Sequence, residues 1–148
     1  KVLSAVAAGQ EDGATLLTGG DRPAGEYFHR GDWIRPTVFV DVKPGMRIFH
    51  EEIFGPVLSV VKWSDEEELI GMVNATEYGL TAALWTKDVA RALRLSRRIR
   101  AGYIWINGVS SHYLGLPFGG VDNSGIGREE GIEELFSYTQ AKALTIHT

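Results

Sequence analysis

Apolar positions along this chain change period several times, and each change marks an element. In residues 1–8, Val2, Leu3 and Val6 lie on one side at helical spacing, and Gly9 reads as the stop. Residues 13–20 form a short glycine-bounded strand, and residues 27–33 an edge hairpin. Residues 36–42 are β-branched, with Pro36 at the first position, where a missing donor is tolerated. Val57-Leu58-Ser59-Val60-Val61 opens an apolar strand over 57–63. Ser64 then caps a helix to about Asn74, with Glu67 as its capping-box partner. Residues 81–86 form the next strand. A helix follows over 88–100, with Val89, Ala92, Leu93, Ser96 and Ile99 on one face. Gly102 ends it, and residues 102–107 form a third strand.

Near-continuous apolar strands alternating with helices predict the α/β class with a parallel βαβαβ sheet. Residues 108–127 are a long glycine-rich loop, and loops of that length in compact domains are usually functional or disordered. A short helix is expected over 128–135. Residues 137–146 alternate as a strand with nothing after them to cover it, so they read as an arm that pairs with another chain. The expected division is therefore residues 1–136 and residues 137–148.

Composition narrows the function classes. The chain has 148 residues, 44% hydrophobic and 23% charged, which suits a globular domain with a real core. Its formal net charge of −4 argues against nucleic acid as a partner. No apolar run reaches membrane-spanning length. Cysteine is absent, which removes disulfides, thiolate metal sites and a cysteine nucleophile from this chain. Together with the lack of a leader-like start, this favours a cytoplasmic location. The chain opens on Lys1 directly in helical spacing, with no cap, which predicts a piece of a longer protein.

His50-Glu51-Glu52-Ile53-Phe54-Gly55-Pro56 places two carboxylates, an aromatic ring and a Gly-Pro turn at the mouth of a strand. Neighbours in an extended segment face opposite ways, so either one of Glu51 and Glu52 meets a ligand and the other solvent, or the stretch is a loop with ordinary solvated acids, the reading that local features favour. In the glycine-rich loop, Gly125 and Gly127 give G-x-G. The third glycine, Gly131, comes one position too late for a dinucleotide fingerprint, and no strand precedes it. Asp122 occupies the first glycine position that a G-x-S-x-G elbow around Ser124 needs. His112 has no second ligand at a metal spacing, so no metal site is expected. It reads either as a partly exposed loop residue or as a pocket-lining side chain. Five arginines (91, 94, 97, 98 and 100) read as a solvated helix face, and the four tryptophans as core.

Glu51-Glu52-Ile53-Phe54-Gly55-Pro56 matches the pattern Glu-Glu-x-Phe-Gly-Pro. Pro117-Phe118-Gly119-Gly120 and Ser124-Gly125-Ile126-Gly127-Arg128-Glu129 match a second pair of motifs, in register with Tyr78-Gly79-Leu80-Thr81-Ala82 and Trp105-Ile106-Asn107. On these residues the whole chain resembles the C-terminal part of the catalytic domain of the aldehyde dehydrogenase superfamily, with its oligomerisation arm. The resemblance implies an NAD- or NADP-dependent oxidation of an aldehyde to a carboxylic acid, through a thiolate on the enzyme. It implies that Glu52 binds the nicotinamide ribose hydroxyls, that Phe54 packs near the nicotinamide, and that Phe118 is a further apolar contact of cofactor and pocket. Asn107 and the loop carrying Ser110, Ser111 and His112 would wall the substrate tunnel. Arg128 and Gln140 would sit at the interface of a homo-oligomer. The family's nucleophilic cysteine, general base and Rossmann domain would lie upstream, so this chain holds no catalytic residue and should be inactive alone.

Two departures from the family pattern stand out. Asp122 replaces a common lysine, and Gln140 replaces a common glutamate. The alternatives are a non-catalytic α/β association module and an independent small-molecule-binding domain.

Overall fold

The computed structural model describes all 148 residues. Backbone contacts cluster into two units, residues 1–69 and residues 70–148. The expected division at 136/137 marks no break in the backbone, because a helix runs through it to Ser137.

The first unit comprises α1 (Val2–Glu11), β1 (Thr15–Thr18), a 3-10 turn (Glu26–His29), β2 (Thr37–Val40), α2 (Arg47–His50) and β3 (Val57–Ser59). Strand β2 is central. It pairs antiparallel with β1 and parallel with β3, in the order β1-β2-β3. Phe39, fully buried on β2, is the centre of a core with Val6, Val42, Met46, Ile48 and Ile53. Thr37 is also buried. Its hydroxyl accepts from the Gly20 N–H and donates to the Arg35 carbonyl, both at 2.8 Å, so no polar group is stranded.

Gly9 does not stop α1 as expected. It lies inside the helix, where a Cβ would come within 2.9 Å of the Ile48 side chain and 3.2 Å of the Phe39 ring. Close packing, not helix termination, selects it. The expected hairpin at 27–33 is instead a 3-10 turn, in which Tyr27, Phe28 and Trp33 pack ring on ring.

Arg47 fastens α2 to the end of α1. Its backbone N–H donates to Asp12 at 2.8 Å, and its guanidinium reaches Asp12 at 2.7 Å, Glu11 at 2.9 Å and the Ala8 carbonyl at 3.2 Å. These guanidinium bonds hold the Asp12 carboxyl below its ordinary value of 3.8. A carboxyl depressed on folding stabilises the fold above its unfolded pKa and loses that contribution as pH falls through the folded value. Asp12→Asn should therefore be less stable than the parent at pH 7. The gap should close below about pH 3.8, as checked by denaturant midpoints across that range.

Helix α3 (Glu66–Val73) leads into the second unit, with β4 (Tyr78–Gly79), β5 (Thr81–Leu84), α4 (Val89–Ser96), β6 (Tyr103–Ile106), β7 (Val121–Asp122) and α5 (Ile132–Ser137). Asp65, not Ser64, caps α3: its carboxylate accepts from the Glu67 and Glu68 N–H groups, each at 2.9 Å. Asp88 caps α4 through the Arg91 N–H. The α4 face is shifted from the expected one. Ala92 and Leu95 are buried, whereas Val89 and Leu93 are exposed. Strands β5 and β6 pair in parallel around α4, a true βαβ unit. Strand β3 belongs to the first sheet, so the expected βαβαβ run is split while the α/β class stands. Strand β7, within the glycine-rich loop, pairs antiparallel with β4.

Residues 138–148 form no strand. Ser137 closes α5, and the tail beyond is exposed, with Leu144 and Ile146 about four-fifths open to solvent. A strand exists only where a ladder partner exists, and this chain offers that tail none. The tryptophans are also not core: Trp33, Trp63 and Trp85 are all exposed. No helix is long and apolar enough to cross a membrane.

Candidate functional site

The candidate residues fall in both units. In the first, His50 ends α2 and its ring donates to the Pro44 carbonyl. The Glu51 N–H is still tied to the Arg47 carbonyl at 2.9 Å. Glu51 and Glu52 are both exposed, and both border one hollow of about 260 Å³ against Ser4, Ala8 and Arg47. Arg47 directs its guanidinium to Asp12 and Glu11, and Glu52 makes no hydrogen bond or ion pair within the chain. Ile53 is buried in the core and anchors the segment.

Phe54 then takes φ 56°, in the left-handed region, with its ring 82% exposed and outside that hollow. For an aromatic residue this backbone is strained by about 1–3 kcal/mol. An exposed ring returns none of that through burial.

In the second unit, β6 presents Tyr103 and Trp105. The Asn107 backbone N–H still donates to Leu84 at 2.8 Å, while its φ of 55° turns the chain away. Its side-chain oxygen accepts from the Thr86 N–H at 2.8 Å, and its amide donates to the Thr86 carbonyl at 2.9 Å. Both ends of the amide are thus committed to clamping the ends of β5 and β6, and Asn107 sets where the following loop starts. Ser110 is exposed, also with positive φ. The Ser111 carbonyl accepts from the Trp105 indole N–H at 2.8 Å, which folds the loop back over β6.

That return places His112 among aromatic rings. It stacks on Tyr103 (5.5 Å between centroids, 12° between planes) and lies 4.6 Å from the Phe118 ring and 5.7 Å from Trp105. Nδ1 sits 2.9 and 3.0 Å from the two carboxylate oxygens of Glu130. Phe118 and Glu129 exchange both backbone hydrogen bonds, at 2.9 and 2.7 Å, which brings Glu130 to His112. His112 is an exposed residue of that loop. It is a clamped ring within an aromatic group. Nothing in the local sequence marks Glu130 or Tyr103 as partners of His112. Glu130 lies 18 positions from His112, and no local pattern links residues so far apart.

Arg128 is half-buried. Its guanidinium donates to the Gly120 and Gly127 carbonyls, at 2.7 and 2.8 Å. Its donors brace the glycine-rich loop of its own chain, and Gln140 lies exposed in the tail. A hollow of about 640 Å³ runs along that loop, between Phe118, Ser124, Arg128, Glu133 and Tyr138. Asp122 has a local explanation: it forms an ion pair with Arg100 at the end of the α4 connection. Ser124 also contributes structure, with its hydroxyl accepting from the Gly79 N–H at 2.9 Å.

Comparison with known proteins places this geometry. The profile of the aldehyde dehydrogenase family matches residues 1–144. The chain is 51% identical to aldehyde dehydrogenase tropH of Talaromyces stipitatus, over 99% of this chain and 29% of that protein. It is 47% identical to betaine aldehyde dehydrogenase of Brucella anthropi, over 99% of this chain and 30% of that one. Among solved structures, Mycobacterium tuberculosis aldehyde dehydrogenase complexed with NAD+ superimposes with TM-score 0.86 at 45% identity, over 94% of this chain and 28% of that one. The NAD-dependent aldehyde dehydrogenase of Sinorhizobium meliloti gives TM-score 0.86 at 45% identity, over 94% and 27%. The chain thus spans less than a third of the length of the relatives it matches. Its two motif blocks, its α/β strands and its match along residues 1–144 make it a member of the aldehyde dehydrogenase family.

Proposed function

We propose that this chain serves an enzyme that oxidises an aldehyde to a carboxylic acid with NAD or NADP, and that it supplies the nicotinamide-ribose contact, part of the substrate wall and a subunit interface. The observation that carries this is the strained, exposed Phe54 beside the unpartnered Glu52. A carboxylate with no partner in its own chain can accept from two vicinal ribose hydroxyls, and an outward aromatic ring offers a face or edge to a heterocycle. The acceptor and the ring therefore fit the cofactor. When bound, the nicotinamide group would supply the hydride acceptor.

This chain's own residues bind and orient. Glu52 holds the ribose, Phe54 limits rotation of the ring, and Phe118 keeps water from the pocket side. Asn107 fixes the start of the loop on which Ser110, Ser111 and His112 meet substrate. Residues 137–148 pair with a second copy, and Arg128 and Gln140 lie at that contact. Two observations support a cover over this surface. The chain exposes 10842 Å². Even two separate bodies sharing its 16.3 kDa would expose roughly 9,000 Å². Large apolar side chains such as Leu114, Ile126 and Tyr138 are more than four-fifths exposed.

The chain has no cysteine, so the thiolate must come from elsewhere in the protein. Incubated alone with NAD or NADP and a panel of aldehydes, the 148-residue chain should form no NADH or NADPH, while the whole protein carrying it should. Steady turnover by the chain alone, or none by the whole protein, would refute the proposal.

A further inference from the structure

His112 and Glu130 meet across both carboxylate oxygens. A carboxylate only accepts, so Nδ1 carries the proton. The ring is thereby set: Nδ1–H aims at Glu130, and Nε2 is the nitrogen left without a partner in the chain. Stacking on Tyr103 and contact with Phe118 fix its plane. Glu130 is itself held on both sides of its peptide. Its N–H donates to Glu134 at 2.7 Å, and its carbonyl accepts from the Gly115 N–H at 2.7 Å. A histidine serving only the core would be buried, whereas the His112 side chain keeps 34% of its surface open.

We infer that Glu130 is a positioning residue and His112 Nε2 a specificity-determining group, and that together they select aldehydes carrying a hydroxyl on an aromatic body. The inference rests on the proposed dehydrogenase function and on the loop of residues 108–116 meeting substrate. A hydroxyl matches Nε2 in either ring state: it donates to the neutral nitrogen and accepts from the charged N–H. The rings of Tyr103, Trp105 and Phe118 around the imidazole favour a flat aromatic partner. A site built to bond a hydroxyl also discriminates against the analogue that lacks it, because its own polar atom is then left dry.

The test uses the whole protein carrying this chain and two substrates of similar size, 3-hydroxybenzaldehyde and 3-methylbenzaldehyde, with acetaldehyde as a control. The readout is the ratio of kcat/KM for the two aromatic aldehydes. The parent should prefer the hydroxylated one by about tenfold, as one good hydrogen bond gives. His112→Phe keeps a ring and should bring the ratio near one. Glu130→Leu should also lower the ratio. Glu130→Gln, whose amide oxygen still accepts from Nδ1–H, should restore most of it. A merely structural Glu130 would lower both rates alike and leave the ratio unmoved, which overturns its positioning role. If Glu130→Leu does not fold, His112→Phe and Glu130→Gln decide. A ratio unchanged in His112→Phe overturns the inference, as does a parent that oxidises acetaldehyde but neither aromatic aldehyde. A parent that oxidises none of the three overturns the dehydrogenase function itself.

Discussion

Gly102→Ala should unfold the second unit. A Cβ on Gly102 would sit 1.8 Å from the Gly119 carbonyl oxygen and 2.8 Å from its carbon. Both are backbone atoms, so no side chain can swing aside. The Gly102 N–H is meanwhile held to the Gly79 carbonyl at 3.0 Å. Gly79 is pinned in turn, since its own Cβ would lie 2.5 Å from the Arg100 carbonyl oxygen. Three glycines from three segments thus let the backbone ahead of β6, β4 and the Pro-Phe-Gly-Gly turn touch. Interiors at crystal-like density cannot absorb such an overlap, and the loss should exceed about 4 kcal/mol. The contrast is Gly71→Ala inside α3, where a Cβ meets nothing within 4 Å. That change should stabilise by about 0.5–1 kcal/mol through helix propensity alone. Thermal midpoints of the two variants decide the matter. A Gly102→Ala protein melting within about two degrees of its parent would mean that the turn does not pack on β6 as described.

Glu52→Ala should raise the apparent KM of the whole enzyme for its nicotinamide cofactor by about 10- to 100-fold, the size of a hydrogen bond to a charged group. Its melting temperature should barely move, because Glu52 is exposed and makes no bond within the chain. Glu51→Ala should change the KM by less than about threefold, since one exposed charge near a bound ligand is screened. Cofactor titrations at fixed aldehyde separate the two. Equal effects from both carboxylates would remove the assignment of Glu52 to the ribose. That comparison has force because both residues border the same hollow, so general electrostatics alone would treat them alike.

Much of the scaffold could be read from pattern because its determinants are local. The strands at 37–40, 57–59, 81–84 and 103–106 announce themselves by β-branched and apolar runs, and Asp88 by its place before a helical face. The family motifs were legible as strings, but their physical work was not. Nothing in Ser-Gly-x-Gly-Arg-Glu says that Arg128 turns its guanidinium onto the Gly120 and Gly127 carbonyls. The same holds for Asp122, whose partner Arg100 lies 22 positions away. Gly9 misled because a glycine near a helix end has two uses, and only the tertiary neighbours Phe39 and Ile48 distinguish them. The α4 face was misplaced by counting Val89 and Leu93 as apolar, although hydrophobicity does not oblige a residue to be buried. The tail over 137–146 alternates as a strand would, yet alternation specifies a face and supplies no neighbour.

The two-residue ladder between β4 and β7 has a kinetic consequence. Gly79 and Ser124 are 45 positions apart, and so small a pairing returns little against the entropy of closing so long a loop. It should form after β5, α4 and β6 have assembled from near neighbours in sequence. The segment carrying His112, Phe118 and Glu130 is then the last part of the unit to order. On the proposed function, the residues that would meet the substrate lie on the portion of the chain that orders after its folding nucleus. Selection could alter the substrate there while the parallel strand pair beneath goes on folding as before.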